Sequence, residues 1–238
     1  MSDEHATVGP TLADPAQKPT VPGDASKLTV IDFDHPPTDP VALFQRWMSD
    51  AEGTGLPNPN AMNLATVDAD GRPSARIVLL KGFDAEGAVF FTNYAGRKGR
   101  ALAANPMATL VFHWDVLDRQ VVIEGDVTRT SAAASDAYFA SRARPSRLGA
   151  WASRQSEPCA DRAQLESAYF EIERRFGQEE SDGPVPRPEF WGGFRVRFRS
   201  ILFWQGHPFR LHDRVIYRPH KGELADANTT WTSQRLFP

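Results

Sequence analysis

From residue 39 onward the apolar positions switch between two spacings, and the switches mark the elements. In "DPVALFQRWMSDAEGTG" the apolar residues Leu43, Phe44 and Trp47 fall at helical spacing. Asp39 as N-cap, Pro40 in the first turn and Gly53 or Gly55 at the end bound that helix. Period-two runs follow in quick succession. "AMNLATV" and "SARIVLLKGF" read as a hairpin around "DADGRP", and "DAEG" turns the chain into "AVFFTN". "GRKGRALAANP" predicts a short helix, and "MATLVFHW" pairs with "RQVVIEGDVTRT" across "DVLD". The region from Ala132 to Phe176 returns to helical spacing, in "SAAASDAYFASR" and then "DRAQLESAYFEIERRFG". After the proline-rich "DGPVPRPEF", three strands close the chain: "WGGFRVRFRSILFWQ", "FRLHDRVIYRP" and "TWTSQRLF". Short antiparallel strands at turn-sized intervals, interrupted by helices, predict a mainly β fold, a barrel with α excursions.

The first 27 residues lack any apolar period and are rich in Pro, Ala, Asp and Thr. Such a segment buries too little surface to offset its ordering entropy, so 1–27 is expected to be a disordered leader and 28–238 a single domain. The formal net charge of −3 argues against a nucleic-acid partner. A single cysteine, Cys159, excludes an intramolecular disulfide and fits a reducing compartment. No apolar run approaches the length of a membrane span, and the N-terminus has no apolar signal core, so a cytoplasmic protein is expected.

Several stretches concentrate cations. In "RIVLLK" strand alternation puts Arg76, Val78 and Leu80 on one face and Ile77, Leu79 and Lys81 on the other. Solvated strand ends explain such charges as well as a site does. In "FFTNYAGRKGR", Thr92 ends a strand while Arg97 and Lys98 open a helix, where free N–H groups and two cations suit an anion. Gln120 offers a donor and an acceptor at the start of a strand. "YFASRARPSRLGAWASRQS" crowds Tyr138, Arg142, Ser146, Gln155 and Ser156 into one region. A helix continuing through Arg142 would set Tyr138 and Arg142 on one face. Arginine far outnumbers lysine in this chain, so such clusters arise partly from composition. In "RLHDR", an extended segment would align Arg210, His212 and Arg214, with Leu211 and Asp213 opposite. Two glycines in Trp191-Gly-Gly-Phe194 suggest a bulge or a close approach by a ligand or a second backbone. Phosphate-loop and dinucleotide motifs are missing, and none of the six histidines has metal-ligand spacing to another.

Taken in order, "NLATVDADGRPSARIVLLKG", "VFFTNYAGRKGRAL", "LDRQVVIEG", "YFASRARPSRLGAWASRQS", "PEFWGGFRV" and "FWQGHPFRLHDR" resemble the pyridoxamine 5′-phosphate oxidase family. The likeness runs from about Asp39 to the C-terminal "RLFP". It implies an FMN-binding split β-barrel, Greek-key-like, working as an obligate homodimer with shared sites. By that resemblance Arg76, Ile77, Val78, Leu79, Leu80 and Lys81 line the FMN, and Lys81 also reaches the substrate. Phe91, Thr92, Arg97 and Lys98 hold the flavin and its phosphate, and Gln120 meets the ring system. Gln155 and Ser156 come from the partner subunit, and Trp204 and Arg214 complete the flavin site. Tyr138, Arg142 and Ser146 grip the substrate phosphate, while Arg210, Leu211 and His212 lie over its ring. Arg210 and His212 are the catalytic candidates, the latter for proton handling. This chain departs from the family pattern at Phe91, where tyrosine is common, and in "SRARPS", where "SRPRDS" is usual.

The activity so implied is oxidation of pyridoxamine or pyridoxine 5′-phosphate to pyridoxal 5′-phosphate, with O2 as acceptor and H2O2 as product. Two alternatives stay open: a sister FMN oxidase of the phenazine-biosynthesis type, and a non-catalytic split barrel that binds flavin or vitamer.

Overall fold

A computed structural model describes residues 28–220 and 223–238; the expected leader, 1–27, lies outside them. Among the described residues, nine antiparallel strands form one sheet in the order β2-β1-β5-β6-β7-β4-β3, with β8 added to β7 and β9 to β8. These are β1 (Ala61–Val67), β2 (Pro73–Leu79), β3 (Gly82–Asp84), β4 (Gly87–Asn93), β5 (Met107–Trp114), β6 (Arg119–Arg129), β7 (Trp191–Gln205), β8 (Asp213–Pro219) and β9 (Trp231–Arg235). The sheet curls into a half-barrel, the mainly β architecture with α excursions that the pattern predicts.

β7 is the spine. It runs beside β6 throughout, beside β4 at its start and beside β8 at its end. A register shift at Glu124/Gly125 bends β6 against it. Gly125 is required there, because a Cβ would lie 2.0 Å from the Arg197 carbonyl oxygen.

Helix α1 (Pro40–Gly53) plugs the barrel. Asp39 caps it by accepting from the Val41 and Ala42 N–H groups, and Leu43, Phe44 and Trp47 are buried against Phe112 and Phe203. A buried ion pair, Arg119–Asp50 at 2.7 Å, ties α1 to β6, with the Arg119 guanidinium over the Trp47 ring. Helix α2 (Arg97–Ala104) follows β4, and α3 (Ala132–Ala140), α4 (Arg144–Ala152) and α5 (Arg162–Phe176) form a separate layer. That layer shares a second apolar cluster of Phe139, Leu148, Val185 and Trp191. Among the described residues no helix is long and apolar enough to cross a membrane.

Two local expectations are corrected. The segment "FRLHDR" is not extended: Pro208–Arg210 is a 3-10 turn with Phe209 and Arg210 at φ 61° and 60°, and β8 begins only at Asp213. Period-two reasoning failed because the proline opens a turn. Likewise α3 ends at Ala140, so Tyr138 and Arg142 do not share a helix; Arg142 N–H closes a turn on the Phe139 carbonyl instead.

Candidate functional site

A cleft of about 340 Å3 opens where β2, β4, the start of α2 and the α3–α4 connection meet. Arg76, Ile77, Val78, Leu79 and Lys81 supply one wall, Phe91, Thr92 and Lys98 the floor, and Tyr138, Arg142, Gln155 and Trp191 the other wall. Phe91 and Tyr138 stack at 3.9 Å, and Trp191 lies nearly parallel beside both, 5.7 Å from Phe91 and 6.2 Å from Tyr138. A second hollow of about 280 Å3 continues past Arg142 and is lined by Asn93, Ser146, Ser153 and Gln155. The two glycines after Trp191 admit close neighbours. A Cβ on Gly192 would sit 2.1 Å from the Tyr94 hydroxyl oxygen, and one on Gly193 would sit 2.5 Å from Thr130 Oγ1.

The cleft's charge is one-sided: Arg76, Lys81, Lys98 and Arg142 line it, and among the described residues no carboxylate does. Lys98 is buried, donating to Thr92 Oγ1 at 3.1 Å and Gln155 Oε1 at 2.7 Å, both neutral. Burial, and next the nearby Arg76 charge, hold its pKa below the usual ammonium range. Arg76 donates only to neutral oxygens, those of Leu64, Thr66 and Ser74. Burial depresses Arg76 and Arg142 too. Arg142 lies over the Trp191 ring at 4.8 Å, with Nη1 buried and unbonded. Buried cations without counter-charge are costly unless an anion completes them. The residues present therefore fit a phosphate-bearing group.

Of the residues singled out from sequence, Arg76, Ile77, Val78, Leu79, Lys81, Phe91, Thr92, Lys98, Tyr138, Arg142 and Gln155 converge on the first cleft, and Ser146 on the second. Leu80 faces the core. Arg97 turns away to Asp68, whose carboxyl it holds below the usual range through a 2.6 Å ion pair. Gln155 reaches Thr92 and Lys98 of its own chain, so the expectation that it comes from the partner is corrected. Ser156, at φ 72°, lines a neighbouring hollow with Cys159. Sequence reasoning noted Trp191 only for the glycines after it. The signal missed was a large aromatic held at a fixed place by two residues without side chains.

Gln120, Trp204 and Arg214 lie elsewhere, as one row of partners across β6, β7 and β8. Trp204 is at the far end of β7 from Trp191, roughly 40 Å along the strand at about 3.3 Å per residue. Arg210, Leu211 and His212 occupy the adjoining turn, with the His212 ring 4.7 Å from that of Trp204. The row beside theirs runs Ile77, Asn63, Val111, Val122, Leu202 and Ile216. Five of its six residues are aliphatic, and Ile77 is 66% exposed. Val111, Val122 and Leu202 in that row are half-buried and Ile216 is buried.

The chain is similar to known proteins over most of its length. Residues 48–175 match the model of the pyridoxamine 5′-phosphate oxidase family, and residues 191–238 that of the pyridoxine 5′-phosphate oxidase C-terminal dimerisation region. A pyridoxine/pyridoxamine 5′-phosphate oxidase of Rubrobacter xylanophilus is 58% identical over 84% of this chain and 87% of its own. One from Paraburkholderia phytofirmans is 51% identical over 89% and 93%. Among solved structures, PhzG from Burkholderia lata, in complex with tetrahydrophenazine-1-carboxylic acid, superposes with a TM-score of 0.77 at 28% identity, over 89% of this chain and all of its own.

Proposed function

Because the chain belongs to the pyridoxamine 5′-phosphate oxidase family, a family of FMN oxidoreductases, we propose that it oxidises pyridoxamine or pyridoxine 5′-phosphate to pyridoxal 5′-phosphate. The observation that carries this reading is the cleft lined by Arg76, Lys98 and Arg142 and, among the described residues, by no carboxylate, with Asp68 acting on Arg76 only from outside the lining. Two phosphorylated rings, FMN and the vitamer, would supply the missing charge. Bound FMN supplies a two-electron acceptor, through which oxidation at the vitamer's 4′ carbon is coupled to reduction of O2 to H2O2.

The chain's own groups bind and orient. Arg76 and Lys98 take the cofactor phosphate, with Thr92 and Gln155 fixing the ammonium of Lys98. Arg142, held flat on Trp191, takes the substrate phosphate together with Tyr138 and Ser146. Residues 28–238 act as one domain, and two copies form the homodimer. The apolar row through Ile77 and Leu202 lies at the interface, and the row of Gln120, Trp204 and Arg214 faces the partner's cleft. Arg210 and His212 then reach the partner's substrate. The reading explains why neither half of the site is complete within one protomer.

The test is an absorbance spectrum of purified protein, followed by anaerobic addition of pyridoxamine 5′-phosphate. Bleaching of a flavin band supports the reading, and a colourless protein sinks it. The likeness to PhzG favours a second reading, a sister oxidase acting on a different substrate. Identities of 51–58% to pyridoxine/pyridoxamine 5′-phosphate oxidases weigh against it. Comparing H2O2 formation from phosphorylated and unphosphorylated vitamers separates the two, since Arg142 and Ser146 have work only in the first case.

A further inference from the structure

The turn between β7 and β8 is built in a costly way. Phe209 and Arg210 are successive left-handed residues, and neither is glycine. A bulky side chain is a true outlier there, and such strain persists only where surrounding bonds over-determine it. Those bonds are visible. The Leu211 N–H donates to the Pro208 carbonyl at 3.2 Å. His207 Nε2 donates to Asp213 Oδ2 at 2.8 Å, and Arg235 donates to the other carboxylate oxygen. Asp213 is thus gripped from two elements, and it in turn grips the start of the turn. The His207 backbone N–H then donates to His212 Nδ1 at 3.1 Å.

This last bond decides the chemistry of His212. A ring nitrogen that accepts a hydrogen bond carries no proton, so a neutral imidazole so held bears its hydrogen on Nε2. We infer that His207 and Asp213 are positioning residues that lock His212 as the Nε2–H tautomer, so that it donates a hydrogen bond to an acceptor oxygen of the substrate rather than serving as a proton acceptor. This rests on the oxidase reading for its substrate but not for its geometry. It also replaces the expectation of proton handling at His212. The Trp204 ring packs 4.7 Å from that of His212, tilted by 43°, and with Nδ1 occupied Nε2 is the nitrogen left to present.

Two measurements test this, one of them without substrate. The full chain, labelled with 15N at histidine and loaded with flavin, is examined at mildly alkaline pH by long-range proton–nitrogen correlation. The signal absent from His212→Gln is expected to show an unprotonated Nδ1 and a protonated Nε2, and His207→Ala to average that pattern. A proton on Nδ1 of His212, or an unchanged pattern in His207→Ala, overturns the assignment.

The second measurement is kinetic. His207→Ala should raise the KM for the vitamer about fivefold to tenfold, the worth of one neutral hydrogen bond, with kcat and flavin affinity within about twofold of wild type. His207→Gln, whose amide N–H still reaches Asp213, should restore most of the loss. At position 212, the Gln amide N–H reaches the place of Nε2 whereas the shorter Asn amide reaches only that of Nδ1, so Gln should retain the lower KM. Equal KM values in His207→Ala and His207→Gln, or a better His212→Asn, refute the inference. If wild-type protein oxidises no vitamer, the oxidase reading fails and the spectrum alone decides the tautomer.

Discussion

Replacing Lys98 with methionine separates a binding cation from a structural one. Its ammonium has three N–H groups, two of which go to Thr92 Oγ1 and Gln155 Oε1, leaving one directed to the cleft. A hydrogen bond from a charged donor to phosphate is worth about 1.5–3 kcal/mol, so Lys98→Met should weaken FMN binding roughly 10- to 150-fold. The flavin-free protein should behave oppositely. Methionine removes a buried cation that has no counter-ion, and Thr92 and Gln155 already lie within 3.2 Å of each other. Its unfolding free energy should therefore hold or rise.

The pH dependence has a definite sign. Burial and Arg76 lower the folded pKa of Lys98 from 10.5. Between the lowered value and 10.5 the unfolded chain binds more protons than the folded one, so stability gains with rising pH across that window. Lys98→Met should flatten this rise. The measurements are flavin fluorescence titration and urea unfolding of the flavin-free protein at neutral and alkaline pH. An FMN affinity within threefold of wild type, or a flavin-free protein destabilised by more than about 1 kcal/mol, would show that Lys98 serves the fold.

Three further substitutions probe other parts. Arg210→Ala should cut turnover at saturating FMN by about tenfold or more while flavin stays bound, since it removes one charged donor from an exposed turn; unchanged turnover removes Arg210 from the mechanism. Asp50→Ala leaves Arg119 buried beside Trp47 with its charge unpaired and should cost about 3–5 kcal/mol in urea unfolding. A loss below 1 kcal/mol would mean that water reaches Arg119. Ile77→Asp puts a charge in the apolar row of the sheet's open face and should shift sedimentation toward monomer, with loss of flavin. A flavin-loaded dimer would place the interface elsewhere.

Helix α1 and the hairpins were legible because each carried its own punctuation. Asp39-Pro40 is a cap, and the alternation in "SARIVLL" reappears as half-buried Arg76 and Val78 against exposed Ile77 and Leu79. The turn at Pro208 was not legible. It rests on bonds from Asp213 and Arg235, which are distant in kind from any local propensity. Gln155 was assigned to the wrong subunit for a related reason. Sequence order does not say which copy of a chain a loop meets, whereas Gly96 leaves room for Gln155 in this one: a Cβ there would lie 2.6 Å from its amide oxygen.

Arginine abundance hid the site in the sequence, and partner identity recovers it. Within "SRARPSR" three guanidiniums lie a few residues apart and have different fates. Arg144 is buried and donates to the carbonyls of Phe176, Gly177 and Gly183, closing the end of α5, so its bonds are complete within the fold. Arg147 pairs with Glu180. Arg147 also keeps a buried, unbonded Nε, but Arg142 alone of the three rests on aromatic faces without a carboxylate partner, its Nη1 buried and unbonded. The same division separates Arg119, paired with Asp50, and Arg97, paired with Asp68, from Arg76 and Lys98, whose hydrogen bonds go to neutral oxygens. Composition can produce clustered cations, but it does not place those lacking a counter-charge around one cleft. Repulsion between Arg76 and Lys98, together with the partial burial of Arg142, raises the energy of the cleft, and an anion bound there would relieve it. Under the proposed function, the affinity for phosphate is stored in the fold as missing salt bridges.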